Sequence, residues 1–182
     1  MALGQAKKAW RLNKTTARRL EFRPIEREDM RYVWEAYRLG ALPNCPEGLS
    51  TKDFTVAFYQ WVAENWDAVW TLFAETGRGL EPVGLIFGYW PFRGSNQVMH
   101  IADLVWFPRA TARNKVESAV NFFNEIRREI NLFGYSRKSD KRLVEVVAKH
   151  GVLRRIGTSM NAFEDEPADV WETWGAKGDG HF

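Results

Sequence analysis

The chain has 182 residues, 45% of them hydrophobic and 14% aromatic, which is enough for one well-packed domain with a short extension and too little for two full domains. Cys45 is the lone cysteine, which excludes an internal disulfide, and His100, His150 and His181 lack Cys or carboxylate partners at ligand spacing, so no metal site is expected. A net charge of +3, no apolar leader and no run near the roughly 20 apolar residues of a membrane span predict a protein of a reducing compartment.

Residues 1–19 form a basic arm. Lys7, Lys8, Arg11, Lys14, Arg18 and Arg19 stand there without an acid, while Leu3, Ala6, Trp10, Ala17 and Leu20 make a thin apolar stripe at helical spacing. These features predict a helix that docks on a partner chain or on the body of the domain, with Trp10 as anchor for a partner, and they leave nucleic acid open as a target for the charge.

Residues 20–182 form the single domain. "LEFRPIERED" opens as a strand and passes into a helix on which Met30, Val33, Trp34 and Tyr37 share a face, with Gly40 closing it. After the loop "LPNCPEG", a second helix begins at a Ser50 or Thr51 cap and turns Phe54, Phe58 and Trp61 inward. The period then changes to two. "AVWTLFAE", "EPVGLIFGYWPF" and "QVMHIADLVWFP" predict an antiparallel three-stranded meander across 68–108.

Helical spacing returns with Val116, Ala119, Val120, Phe123, Ile126 and Ile130, a face expected to end at Gly134. Asp140 or Ser139 caps a further helix, with Leu143, Val146, Val147 and His150 inward and Gly151 at its end. Two strands, "VLRRIGTSMNAF" and "ADVWETW", complete the order β-α-α-β-β-β-α-β-α-β-β. This is an α/β (α+β) mixed sheet with helices on both faces. Of the tryptophans, Trp34, Trp61, Trp70 and Trp106 read as core, and Trp10, Trp171 and Trp174 as anchors for a partner.

Four stretches, "LEFRPIEREDM", "EPVGLIFGYW", "IADLVWFP" and "DKRLVEVVAKHGVLRRIGT", resemble in sequence and order the GNAT (Gcn5-related N-acetyltransferase) superfamily over residues 20–175. The resemblance implies a GNAT-like acyl-CoA N-acyltransferase fold. It places the family's phosphate motif, Q/R-x-x-G-x-G/A, at "FPRATARNKVESA", with Thr111 at Q/R, Asn114 at the first glycine and Val116 at the last position. The implied acetyl-CoA pyrophosphate site is then Thr111, Ala112, Arg113, Asn114, Lys115 and Val116, on amides at a helix N-terminus, with charge from Arg109, Arg113 and Lys115.

All three signature positions depart from the family pattern, and Val147 occupies the position of the tyrosine that protonates the leaving thiolate. His100 and Asp103, on the fourth strand, are the candidates for the base that deprotonates the amine. Being three apart, they are expected on opposite faces of a regular strand.

These departures favour a GNAT fold retained without cofactor, as a structural or interaction component of a larger assembly. The texture of the chain resembles bacteriophage-encoded GNAT-like proteins, which implies a virion or the host cytoplasm as its place. The alternative is an active acetyl-CoA-dependent N-acetyltransferase on an amine, and the third reading is a nucleic-acid-binding accessory protein.

Overall fold

Why three adjacent strands lack a polar face becomes clear from what covers them. The computed structural model describes residues 19–42, 48–91, 98–136, 140–161 and 166–173. Seven strands form one sheet: β1 (Leu20–Pro24), β2 (Ala68–Thr76), β3 (Gly79–Tyr89), β4 (Val98–Trp106), β5 (Asn131–Tyr135), β6 (Leu153–Asn161) and β7 (Glu166–Thr173). Their spatial order is β1-β2-β3-β4-β5-β7-β6, and only the β4–β5 pair is parallel.

The helices α1 (Met30–Arg38) and α2 (Thr51–Asn65) lie on one face, and α3 (Ala112–Ile126) and α4 (Lys141–Ala148) on the other. Each face has its own core. Val33, Phe54, Phe58 and Trp61 pack on Leu85, Phe87 and Val105. On the opposite side Phe122, Phe123 and Val147 pack on Phe22, Leu72, Ile86 and Ile101. β3 is consequently buried without interruption from Val83 to Gly88, as a strand covered on both faces must be.

Local chemistry explains several helix ends. Ser50 caps α2 by accepting from the Asp53 amide, and Gly40 and Gly151 take positive φ after α1 and α4. Asp140 stands at the N-cap of α4, but its side chain makes no cap bond there. Ahead of α1, a 3-10 turn over Arg27–Asp29 buries the Asp29 carboxylate. That group accepts from both Arg23 Nη atoms at 2.9 Å, the Glu26 amide at 3.0 Å and the Thr71 hydroxyl at 2.8 Å. Arg23, on β1, and Thr71, on β2, are thereby tied to the start of α1.

Two sequence expectations are corrected. The third helix ends at Ile126, not at Gly134: residues 127–129 turn and "NLFGY" is a strand. Leu132 is buried in the core, and its amide donates to the Thr173 hydroxyl at 3.0 Å, so tertiary pairing overrides a helical period that persists through Ile130. His150, expected inward, is exposed beyond the last turn of α4.

Candidate active-site cleft

Antiparallel pairing of β3 with β4 sets Phe87 opposite Asp103, Gly88 opposite Ile101 and Tyr89 opposite His100. Ala102 has no counterpart and forms a β-bulge. The extra residue reverses the alternation, so His100 and Asp103 lie on the same face, the one covered by α1 and α2. The expectation of opposite faces is thus overturned, because it assumed a regular strand.

Next to the bulge the sheet opens. β4 and β5 pair from Val98↔Asn131 to Ile101↔Gly134 and no further, while β4 continues to Trp106. Gly134 sits at the fork, where a Cβ would meet the Ile101 carbonyl oxygen at 2.6 Å. Beyond it lies a cleft of about 490 Å³, counting the part open to solvent. Ala102, Asp103 and Leu104 line one side and Phe133, Gly134 and Tyr135 the other, with Val144 and Trp171 below. Trp171, expected as an anchor for a partner, is therefore a half-buried wall of the cleft.

Among the described residues the lining of the cleft is mainly apolar, and its polar side chains are those of Asp103, Tyr135 and Asp140. Asp103 is buried, and its Oδ1 accepts from the Leu104 amide at 2.9 Å. Tyr135 brings a phenol to the opposite wall. Sequence reasoning missed it by seeking a tyrosine on α4; the only available signal was its place at the end of the strand that leaves the fork.

His100 is 2% exposed and boxed by aromatic rings, with Tyr89 and Phe133 at 4.8 Å and Tyr135 at 5.5 Å between centroids. Neither imidazole nitrogen has a hydrogen-bond partner among the described residues. Burial lowers its pKa to about 4, so the ring is neutral near pH 7. Burial also raises the pKa of Tyr89.

The predicted phosphate segment forms the cap and first turns of α3. Thr111 is the N-cap: its hydroxyl oxygen accepts from the Asn114 amide at 3.2 Å and donates to the Asn114 side-chain oxygen at 2.9 Å. Asn114 is buried and helical, so the left-handed conformation that would suit a glycine position is not used. The amides of Ala112 and Arg113 open the helix. Arg113 pairs with Glu117 at 2.6 Å, Arg109 is exposed, and Lys115 and Val116 are half-buried.

Val147, which the resemblance set at the position of a tyrosine, is 1% exposed and packed inside the core. Of the basic arm, Lys7, Lys8, Trp10, Arg11, Lys14 and Arg18 lie outside the described residues. Arg19 is committed locally: its Nε pairs with Glu21 at 2.6 Å, and its backbone pairs with Glu75. Among the described residues no group of three His, Cys, Asp or Glu is placed to hold a metal ion, and no helix is long and apolar enough to cross a membrane.

No protein-family model matches the chain, and no curated protein sequence does. Solved structures do. A spermidine N-acetyltransferase SpeG chimera from Vibrio cholerae and hSSAT superimposes with a TM-score of 0.55 at 13% identity, over 85% of this chain and 94% of that one. An acetyltransferase of the GNAT family from Bacillus cereus ATCC 10987 gives 0.53 at 11%, over 85% and 96%. A domain from Methanocaldococcus jannaschii DSM 2661 gives 0.50 at 11%, over 86% and 99%. The likeness is one of fold: the mixed seven-stranded sheet with four helices is that of GNAT acetyltransferases.

Proposed function

We propose that the protein is an acetyl-CoA-dependent N-acyltransferase acting on an amine. The observation that carries this reading is the fork between β4 and β5, open beside the Asp103 carboxylate and framed by unpaired strand ends. An apolar slot between two splayed strands suits the thin pantetheine arm, which would also find backbone groups of β4 and β5 to bond. The amides of Ala112 and Arg113 at the start of α3 are suited to the pyrophosphate. Thr111 supplies the cap that a glycine-rich turn supplies elsewhere, and Val116 lies one turn into the helix, away from that cap.

Acetyl-CoA, as substrate, brings the thioester. Asp103 takes a proton from the acceptor ammonium, and the freed amine nitrogen attacks the thioester carbonyl carbon. A C–N bond forms and the C–S bond breaks; the Tyr135 hydroxyl gives a proton to the departing sulfur, and the surplus proton on the new amide nitrogen passes to the tyrosinate. His100, neutral and buried, packs against the rings of Tyr89, Phe133 and Tyr135.

Calorimetric titration with acetyl-CoA tests the reading. Micromolar affinity is expected, together with thiol release on adding an amine. Asp103→Asn should lower kcat by about 10²-fold or more and leave acetyl-CoA affinity unchanged. No heat at millimolar ligand would refute the reading.

A second reading, a non-catalytic component of an assembly such as a phage virion, draws support from the Arg113–Glu117 pair and from the core packing of Val147. It requires that same titration to show no binding.

A further inference from the structure

We infer that the protein pairs with a second copy of itself through β6, strand against antiparallel strand about a two-fold axis at Ser159. The inference stands apart from the acyltransferase reading, because β7 separates this edge from the β4–β5 fork.

An open sheet has two edges, and each presents N–H and C=O groups that invite another strand. The two edges of this sheet differ. β1 spans five residues, carries the charges of Glu21 and Arg23, and closes at Pro24, which has no N–H to offer. β6 spans nine residues and holds neither proline nor lysine, and among the described residues no strand pairs with its outer side. Every residue from Arg154 to Met160 is exposed, Ile156 at 50% and Met160 at 57%. The two arginines do not guard the edge, because each is turned back onto β7. Arg154 Nε donates to Glu172 at 2.6 Å and Arg155 Nε to Asp169 at 2.7 Å.

Self-pairing follows from charge and symmetry. A bulge at Ile156 shifts the register with β7 between Arg155 and Gly157, and beyond it Gly157–Asn161 pairs without interruption. That run, "GTSMN", carries no charge. It offers nothing to an acidic or a basic strand, and it meets its own copy without repulsion. About an axis at Ser159, Thr158 of each copy lies opposite Met160 of the other, and Gly157 opposite Asn161, as a two-fold interface requires. Thr158 and Met160 share a face of the strand, so the exposed Met160 side chain gains a neighbour in the Thr158 methyl group. The arginines stay at the outer ends, with Arg155 about 27 Å from its equivalent at the rise of an antiparallel strand.

Sedimentation velocity on the full chain, from micromolar to submillimolar concentration and with reductant present to keep Cys45 from linking two chains, tests the inference. A reversible monomer–dimer equilibrium is expected. Ser159→Lys and Ser159→Glu each set like charges face to face across the axis and should weaken dimerisation about 10-fold or more. An equimolar mixture of the two variants sets lysine opposite glutamate and should restore the dimer. Ser159 is exposed, so both variants should fold as the parent does, which thermal unfolding verifies. A monomer at every concentration overturns the inference and leaves the edge to a strand of another protein. A dimer that both variants leave intact overturns it as well, as does a mixture that remains monomeric.

Discussion

His100 shows how a single side chain couples the site to the stability of the fold. Its pKa of about 4 lies below the ordinary histidine value of 6.5 because burial disfavours the imidazolium. Between those values the unfolded chain binds a proton that the folded chain does not. The histidine therefore costs no stability above pH 6.5, and stability is lost as pH falls from 6.5 toward 4, by up to roughly 3 kcal/mol. Urea denaturation at pH 7 and pH 4.5 checks this: the difference between the two pH values should be smaller in His100→Phe than in the parent by an amount of that order. Equal differences would show that His100 titrates normally. Asp29 plays a contrasting part, since four donors converge on its carboxylate and fix the start of α1 relative to β1 and β2.

At the scale of elements, the fork between β4 and β5 governs the cleft, and Gly134 is its apex. A side chain there meets backbone, the Ile101 carbonyl, which cannot swing aside as a flexible side chain would. Gly134→Val is expected to lower stability by about 1–3 kcal/mol through overpacking and to weaken acetyl-CoA binding at least 10-fold by shifting β5, as read by thermal unfolding and calorimetry. Unchanged affinity in a folded variant would place the ligand elsewhere.

Much of this level was legible in the residues. The change of period from the Phe54–Trp61 helix to the Ala68 strand, the Ser50 cap and the glycines after α1 and α4 all carry local signals. β5 was not fully legible, because Ile126 and Ile130 continue a helical spacing while the burial that makes "NLF" a strand comes from β4 and β7, far away in sequence. The same limit hid the site. Asp103 and His100 could be named, but their shared face depends on a bulge that one strand cannot announce, and Tyr135 reaches the cleft only through the sheet order.

The whole molecule is a sheet between two cores, and the central strands belong to both. Leu85 and Phe87 face α1 and α2 while Ile86 between them faces α3 and α4, so neither core can dissolve without exposing the other's strands. Phe58→Ala and Phe122→Ala, both at fully buried positions, should each cost about 3–5 kcal/mol and shift one common transition. Coincident tryptophan-fluorescence and far-UV circular-dichroism curves check this. Separate transitions for the two variants would mean that the layers unfold independently.

The inserted Ala102 divides β4 into two segments with different phase references. Val98–Ile101 is paired to β5, with His100 and Ile101 held by β3 as well, whereas Asp103–Trp106 is held by β3 alone. Substitutions in the first segment can therefore retune the fit with β5 without changing which later residues meet the cleft. Packing and chemistry can vary separately along one strand, with a single residue as the boundary.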